Sequence, residues 1–386
     1  MSTSYDYCSR TNMKAAGSHT PHFRVDLLID EFNLWLHSYF IAGLVQLAEV
    51  QSITLRAMSG QDRRKCLTVH DSSYPLLTLK CTDTSRDHSR LICFDPRDQS
   101  NVWHTAALEK YDIYYKRSIY QPDTERLIRS QQVKVRPINP MFATWCSGTM
   151  AWNAKLIVAS FVKAGHHIFT GNSSRKTISS ILDDLRTFAF LSTLNNYEDN
   201  PVGCKQKQVL FQTRLWDPSE EKGDWVEDCN RHRVEMIQVL RRRLGAYCVG
   251  GLIRTPYAEQ NYPELLSNLT LTAKAKRPEF ISLCRKFLIR VNVKALFDAV
   301  PYSLGETLAA NNCLVSESIR NSFATPLVED EHYLGFTTPD ECADRCLELL
   351  DTADSADRLR EAEYAYYCNA VRPQNAMWMF LEQAMS

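Results

Sequence analysis

The chain has 386 residues, which is enough for two domains of ordinary size. Apolar residues make up 44% and charged residues 23%, a composition that is typical of folded globular proteins and excludes intrinsic disorder. Lysine plus arginine equals aspartate plus glutamate at 45 each, so the chain lacks the basic excess of a nucleic-acid-binding protein. We therefore expect no nucleic-acid partner.

The sequence gives no sign of a membrane span or a secretion signal. No apolar run approaches the roughly 18–20 residues of a membrane helix, and the N-terminus lacks the apolar core of a signal peptide. Thirteen cysteines occur at scattered positions without a Cys-x-x-Cys pair, which is typical of free thiols in a reduced compartment. These features predict a cytoplasmic protein without a metal site.

Short apolar segments alternate with helical patterns in the first half of the chain. After a polar leader over residues 1–22, residues 23–30 predict a strand and residues 34–49 an amphipathic helix. Further strands are predicted at residues 52–55, 76–80, 91–94, 111–115 and 133–137, and residues 147–200 are mostly helical in pattern. This alternation predicts a first α/β domain with a parallel sheet over residues 23–194.

The second half repeats this alternation after a polar, turn-rich linker at residues 195–207. Strands are predicted at residues 208–212, 247–253, 286–293 and 313–316, and helices at residues 226–244, 298–310 and 339–350. They form a second α/β domain over residues 208–365, followed by an apolar helix within residues 366–386. Because ligands of open α/β sheets bind beyond the carboxyl ends of the strands, candidate residues are those that follow each strand.

The segment AVPYSLGETLAANNCLVSE, residues 299–317, predicts a loop, a helix and a short strand. The free N–H groups and the positive dipole end of a helix N-terminus suit a phosphate or a sugar hydroxyl. We expect Glu306 in the first turn of this helix, where its carboxylate reaches the hydroxyls of a ligand. The alternative is an ordinary helix with an N-terminal glutamate.

Two cations flank the start of the second domain. Arg214 follows the strand at residues 208–212, and Lys222 precedes the next helix. A diphosphate leaving group requires paired positive charges of this kind. Ion pairs with Asp217 or Glu221 are the alternative.

Charged residues also follow the strands of the first domain. Asp30 stands at a strand end and is the preferred general base for an acceptor hydroxyl; His37, one turn into the next helix, is a second candidate unless it is a core residue. Asp95, Lys116 and Arg117 follow two further strands. They are predicted to hold a phosphorylated or carboxylated acceptor, or else to be solvated turn charges.

The chain resembles bacterial family 1 glycosyltransferases of the surface-polysaccharide type over most of residues 24–380. The segments that carry this resemblance are FRVDLLIDEFN, LICFDPRDQSNVW, YDIYYKRSIY, VLFQTRLWDP, YCVGGLI, PYSLGETLAANNCLVSE, HYLGFTTPDEC and YYCNAVRP. The resemblance implies a GT-B fold, in which two doubly wound Rossmann-like domains face each other and the C-terminal helix returns to the first domain. The signatures of P-loop proteins, dinucleotide-binding proteins and α/β-hydrolases are absent from the sequence.

The resemblance also implies a set of donor-binding residues. They are Arg214, Lys222, Asp298, Ser303, Leu304, Gly305 and Glu306. Asp298 and Glu306 match the spaced acid pair of many retaining members, in which the second acid binds the ribose. Ser303 stands where related sequences often carry a lysine.

These observations predict a glycosyltransferase, hexosyltransferase-like, that transfers a sugar from a nucleotide-sugar to a hydroxyl of a glycan, a lipid-linked molecule or a small molecule. Neither a metal nor another cofactor is expected, and the sequence leaves retention or inversion open. The alternatives are a nucleotide-sugar epimerase or hydrolase on the same fold and a non-catalytic carbohydrate-binding or interaction module. The basic cluster Arg241, Arg242 and Arg243 hints at a peripheral membrane contact.

Overall fold

The computed structural model describes residues 22–29, 33–67, 76–145, 191–199, 203–220, 224–269 and 277–386. The chain divides into two compact α/β units, each built around one sheet. The N-terminal unit comprises Tyr5–Arg97, Asn101–Leu194 and Arg372–Ser386, and the C-terminal unit contains Asp98–Ser100 and Asn195–Val371. The predicted class, two α/β domains with a C-terminal helix that belongs to the first, is confirmed.

A six-stranded sheet forms the centre of the N-terminal unit. Its strands are β1 (Phe23–Leu27), β2 (Ile53–Ala57), β3 (Leu77–Asp83), β4 (His88–Asp95), β5 (Ile113–Lys116) and β6 (Val135–Pro137). They lie in the order β2-β1-β3-β4-β5-β6. Strand β3 runs antiparallel to β1 and β4, whereas the other neighbours are parallel, so this sheet is mixed.

The antiparallel strand arises from a tight turn between β3 and β4. The Asp83 carboxylate accepts hydrogen bonds from the backbone N–H groups of Ser85 and Arg86 at 2.8 and 3.2 Å. Asp87 completes the turn with a positive φ of 47°. A connection this short joins only antiparallel neighbours, because parallel strands require a crossover of a dozen or more residues.

The helices of the N-terminal unit cover its sheet and form its surface turns. They are α1 (Leu34–Glu49), α2 (Gly60–Leu67), α3 (Thr105–Lys110), α4 (Gln121–Thr124) and α5 (Arg129–Gln132). Helix α1 has the predicted bounds and begins after Asn33, whose side chain accepts a hydrogen bond from the Leu36 N–H at 2.9 Å. This cap satisfies a backbone donor that the first turn leaves without a helical partner.

A five-stranded parallel sheet forms the centre of the C-terminal unit. Its strands are β7 (Gln206–Thr213), β8 (Cys248–Leu252), β9 (Phe287–Asn292), β10 (Cys313–Glu317) and β11 (Leu334–Phe336). They lie in the order β11-β10-β9-β7-β8, and every neighbouring pair is parallel. The helices are α6 (Leu194–Tyr197), α7 (Asp224–Leu244), α8 (Pro256–Asn261), α9 (Arg277–Cys284), α10 (Tyr302–Ala309), α11 (Pro339–Asp351) and α12 (Ala353–Tyr366). Apolar residues of α7 and α11 pack with the strands into one core.

The last helix, α13 (Pro373–Met385), belongs to the N-terminal unit. It crosses α1 at Gly43, where an added Cβ would lie 2.3 Å from the carbonyl oxygen of Pro373. The Tyr115 hydroxyl of β5 donates a hydrogen bond to the Phe380 carbonyl at 2.8 Å. Glycine is therefore required at position 43, because only its missing side chain permits this close contact.

Two findings bear on the compartment predictions. None of the helices in the described parts of the chain has the length and apolar character needed to cross a membrane. Ten of the described cysteines carry free thiols, whereas Cys368 is disulfide-bonded, which the scattered spacing did not predict.

Candidate functional site

The carboxyl edge of the parallel sheet has one point at which the strand order reverses. The chain passes from β7 to β8 on one side and later to β9 on the other side of β7. In open α/β sheets such a switch point leaves a crevice in which ligands bind. Arg214 directly follows β7 and Lys294 lies just beyond the end of β9, so two cations flank this crevice.

Arg233 of helix α7 forms hydrogen bonds with the backbone on both sides of the switch point. The buried guanidinium donates one hydrogen bond to the Arg214 carbonyl at 2.6 Å and another to the Lys294 carbonyl at 3.3 Å. Arg214 itself points outward, and its guanidinium lies 4.9 Å from the centre of the Trp216 ring. The Arg214 side chain is therefore available to a ligand, while its backbone is held in place.

A cavity of about 300 Å³ opens beside this edge, between α7 and the loop after β9. It is lined by Trp225, Asp228, Cys229, His232, Arg233, Lys294, Ala295, Leu296, Phe297, Asp298 and Glu317. The rings of Trp225 and Phe297 lie 4.7 Å apart between their centres. Volumes of this size are at the lower end of small-molecule sites.

Glu317, at the end of β10, organises one wall of the cavity. Its carboxylate accepts a hydrogen bond from the Lys294 N–H at 3.0 Å and lies 3.3 Å from the Lys294 ammonium and 3.5 Å from His232 Nε2. Burial alone would raise its pKa, but the nearby His232 and Lys294 outweigh burial and lower the pKa to about 2. Glu317 is therefore ionised at neutral pH and holds Lys294 at the crevice.

Asp298 lies at the mouth of the cavity. Both Phe297 and Asp298 adopt left-handed backbone conformations, with φ angles of 61° and 56°, which is rare for residues other than glycine. The exposed Asp298 carboxylate lies 3.5 Å from Arg320 and 3.9 Å from Lys294. Residues in such conformations cluster at functional sites, and Asp298 is one of the residues that line this cavity.

Helix α10 begins at Tyr302, four residues later than the sequence predicted. Pro301 precedes it and supplies no side-chain cap, and the Leu304 N–H donates a hydrogen bond to the Pro301 carbonyl at 3.1 Å. The Ser303 hydroxyl is engaged with the Asn292 side chain, and Leu304 and Gly305 are buried. The side chains at these three positions are therefore engaged or buried, and donor binding there stays a prediction.

Glu306 differs from its predicted role. It is the fifth residue of α10 rather than a first-turn residue, and it is 5% exposed. One carboxylate oxygen forms an ion pair with Arg277, which also donates to the Tyr197 hydroxyl at 3.0 Å, and the other accepts from Arg290 at 3.0 Å. The prediction of a carboxylate open to ribose hydroxyls is corrected, because two guanidiniums already occupy this carboxylate.

The acceptor residues predicted in the N-terminal unit form a closed network instead. Asp95 and Lys116 are both fully buried and lie 3.3 Å apart. The Tyr114 hydroxyl donates to the same Asp95 oxygen, and the Lys116 ammonium donates to the Val102 carbonyl at 2.9 Å. Arg117 is buried as well. The predictions for Asp95 and Lys116 are wrong, because charges that pair with each other inside the protein do not face an acceptor, whereas the acceptor role of Arg117 stays a prediction.

Of the two predicted catalytic residues, His37 and Asp30, the structure describes only His37. His37 is fully buried in α1, and its Nδ1 accepts a hydrogen bond from the Asn33 N–H at 3.1 Å. It is a capping and core residue, so the prediction that His37 is catalytic is wrong. Asp30 lies outside the described residues, and so does Lys222, one of the predicted donor-binding residues.

The basic cluster at the end of α7 serves the fold rather than a membrane surface. Arg241 donates hydrogen bonds to the carbonyls of Gly250, Glu264 and Leu266 at 3.1, 2.8 and 2.8 Å. Arg243 forms ion pairs with Asp340 and Asp344 of α11 at 2.9 and 2.5 Å. The hint of a membrane contact at this cluster is therefore withdrawn.

Sequence comparison identifies no relative: no family model and no curated protein matches the chain. Solved structures with a similar fold include Anabaena HepE in complex with UDP-glucose, with 10% identity, a TM-score of 0.35 and coverage of 88% of each chain. An alpha-glucosyltransferase in complex with UDP and a 13-mer DNA has 10% identity, a TM-score of 0.40 and coverage of 93% of this chain and 98% of its own. A putative UDP-N-acetylglucosamine 2-epimerase from Listeria monocytogenes has 12% identity, a TM-score of 0.36 and coverage of 92% and 94%. Each TM-score is below 0.5, so the fold class rests on the topology described above.

Proposed function

We propose that the protein is a glycosyltransferase that transfers a sugar from a nucleotide-sugar to a hydroxyl acceptor. The observation that carries this proposal is the switch-point crevice of the parallel sheet, where Arg214 follows β7, Lys294 follows β9, and a cavity lined by Lys294 opens beside them. Cations and a free helix N-terminus are the groups that stabilise a diphosphate as it leaves. The sequence resemblance supplies the reaction class.

The donor's diphosphate is assigned to Arg214 and the N–H groups at the start of α10. Lys294 lies at the same edge but is paired with Glu317, and Lys222 is the further cation that its place after β7 suggests. Asp298 takes the hydroxyls of the donor in place of Glu306, because Asp298 is exposed at the cavity mouth whereas Glu306 is enclosed by two arginines. The cations supply the charge that a metal supplies elsewhere, so we propose metal-independent transfer without a further cofactor.

Asp30 is the residue on which the proposed binding and activation of the acceptor now depend. The burial of His37, Asp95 and Lys116 removes them as partners of an acceptor. Asp30, by its place directly after the first predicted strand, is the general base that we propose for the acceptor hydroxyl. A hexose as the transferred sugar, a surface glycan as the acceptor and a cytoplasmic location are the setting that the family resemblance implies.

The proposal is tested by titrating the chain calorimetrically with UDP, GDP, dTDP and CMP and with their sugar conjugates. We expect one nucleotide family to bind, and its sugar conjugate to be turned over only when a hydroxyl acceptor is added. Donor consumption at the same rate without an acceptor would establish the epimerase or hydrolase alternative. Binding of a free sugar but of no nucleotide would contradict the proposal and support the carbohydrate-binding module.

A further inference from the structure

Exposed apolar side chains of the N-terminal unit are concentrated in the segment between β5 and β6. Among the described residues eight large hydrophobic side chains are exposed, and three of them lie within residues 120–133. Tyr120, Ile128 and Val133 are 40%, 64% and 53% exposed. A single exposed hydrophobic residue is ordinary, whereas several of them on one short segment indicate a contact surface. We call residues 120–136 the β5–β6 segment.

Hydrogen bonds make the β5–β6 segment compact. Ile128 and Val133 stand at the two ends of the one-turn helix α5, where the Gln132 N–H donates to the Ile128 carbonyl at 3.0 Å. The Gln132 side chain donates to the carbonyls of Glu125 and Leu127 at 3.2 and 2.6 Å, which joins α5 to the turn that precedes it. The backbone is therefore held by its own bonds, while the Ile128 and Val133 side chains remain in solvent.

Cations without a carboxylate partner lie beside these apolar side chains. The β5–β6 segment has four cations and two acids, namely Arg126, Arg129, Lys134 and Arg136 against Asp123 and Glu125. Asp123 lies 3.4 Å from Arg126. Within the described part of the chain neither Arg129 nor Lys134 forms an ion pair with a carboxylate. The segment therefore presents uncompensated positive charge next to its aliphatic side chains.

The positive surface continues onto the ends of two helices. The Lys134 ammonium donates to the carbonyl of Glu109, in the last turn of α3, at 3.1 Å. Lys110, the exposed last residue of α3, donates to the carbonyl of Lys65 near the end of α2 at 2.6 Å. Arg64 lies in the same turn of α2 and is exposed. Cations from three elements thus adjoin one group of apolar side chains.

We propose that this surface of the N-terminal unit docks on a membrane that contains anionic lipids. Aliphatic side chains at the ends of a short turn enter the boundary between head groups and acyl chains, and lysines and arginines beside them are attracted to lipid phosphates. Charge complementarity selects an anionic partner, and Ile128 and Val133 select an apolar one. A bilayer supplies both, whereas a nucleic acid would match the charge and leave the two aliphatic side chains in water. The inference uses no residue of the donor edge and is independent of the proposed function.

The probes are two kinds of vesicle, sedimented with the full chain. One is phosphatidylcholine with about one-third phosphatidylglycerol, and the other is phosphatidylcholine alone. We expect the chain to sediment with the anionic vesicles at low salt and to be released as added salt screens the attraction. The partition coefficient onto the neutral vesicles should be at least about 10-fold lower.

Two double variants separate the charge from the apolar contact. Arg129→Glu with Lys134→Glu reverses two cations, and we expect the partition coefficient onto anionic vesicles to fall about 10-fold or more, because each basic residue near an anionic surface strengthens binding. Ile128→Ser with Val133→Ser removes the two aliphatic side chains, and we expect a fall of about 10-fold, as for apolar groups that stay in water.

Matched controls are Arg358→Glu, at an exposed arginine of α12, and Val50→Ser, at a 51% exposed valine of the N-terminal unit. Both should stay within about 2-fold of the unmutated chain, since neither position belongs to the proposed surface. Each variant is compared only after its unfolding transition in urea matches that of the unmutated chain. The dependence on salt and on lipid charge is measured on the unmutated chain and requires no variant.

Three results would overturn the inference. They are the absence of sedimentation with anionic vesicles, equal sedimentation of every variant, and a loss in the charge-reversed variant without any loss in Ile128→Ser with Val133→Ser. Retention of the chain on heparin without vesicle binding would identify a polyanion as the partner and would overturn it as well. Nucleotide-sugar turnover without vesicle binding would retain the transferase and refute the docking surface, and vesicle binding without turnover would do the reverse.

Discussion

The two units place charged residues at the ends of neighbouring parallel strands, yet only the C-terminal unit leaves such a charge open. In the N-terminal unit Asp95 of β4 stands directly beside Lys116 of β5 in the strand register, and the pair closes on itself. In the C-terminal unit Lys294, after β9, is paired with Glu317 at the end of the neighbouring β10, whereas Arg214, directly after β7, has no carboxylate partner among the described residues. A charge after a strand thus becomes a ligand site only where the neighbouring strand does not supply its counter-ion.

The closed pair of the N-terminal unit gives the largest expected effect. Lys116→Met removes the buried cation beside Asp95 and leaves Arg97, at 3.4 Å, as its remaining cation partner, and we expect a loss of about 3 kcal/mol in the free energy of unfolding, measured in urea. Arg126→Met, at an exposed arginine of the same unit, is the control and should change stability by less than about 0.5 kcal/mol. Equal stability of both variants would mean that Lys116 is not a structural partner and would reopen its role in acceptor binding.

Glu306 tests the distinction between a paired structural charge and an open ligand-binding charge inside the C-terminal unit. Glu306→Gln removes the charge between Arg277 and Arg290, and we expect the free energy of unfolding to fall by about 3 kcal/mol. Nucleotide affinity, measured by calorimetry below the unfolding transition, should change less than about 3-fold. A folded variant of normal stability that has lost nucleotide binding would restore the ribose role of Glu306.

The pH dependence of stability tests the ion pairing of Glu317 in the cavity wall. Because the folded-state pKa of Glu317 is lowered to about 2, its contribution is present above its ordinary pKa of 4.5 and is lost as the pH falls from 4.5 through 2. By linkage, we expect Glu317→Gln to lower the free energy of unfolding by about 2–3 kcal/mol at pH 7 and to show a shallower loss of stability below pH 4.5. Identical acid slopes for both proteins would contradict the ion pairing of Glu317.

The sequence predicted those helices and strands whose signal lies within a few neighbouring residues. The bounds of α1 follow from an apolar stripe and from Asn33 as its cap, and β7 to β10 follow from short apolar runs, whereas the three-residue strand β11 was not predicted. The mixed sheet was missed because the turn after Asp83 depends on side-chain bonds to Ser85 and Arg86 rather than on apolar periodicity.

The site was predicted less well than the fold because burial depends on partners that are distant in the chain. Glu306 is 29 residues from Arg277 and 16 from Arg290, and neither distance is visible as a motif. One signal was available: Arg290 stands inside the apolar strand FLIRVN, where a charge requires a buried partner. Arg233 and Glu317 carried no comparable signal, because each acts through backbone groups that only the fold brings together.

The central claim is that the open edge of the C-terminal sheet binds the nucleotide donor through Arg214. The most direct measurement compares nucleotide-sugar affinity in Arg214→Met with that in Arg254→Met, since Arg254 is an exposed arginine that follows the neighbouring strand β8 but pairs with Glu259 at 3.4 Å. We predict that the dissociation constant rises about 10-fold in Arg214→Met, with unchanged stability, and stays within about 2-fold in Arg254→Met. Equal affinity in the two variants would contradict the placement of the donor at this edge.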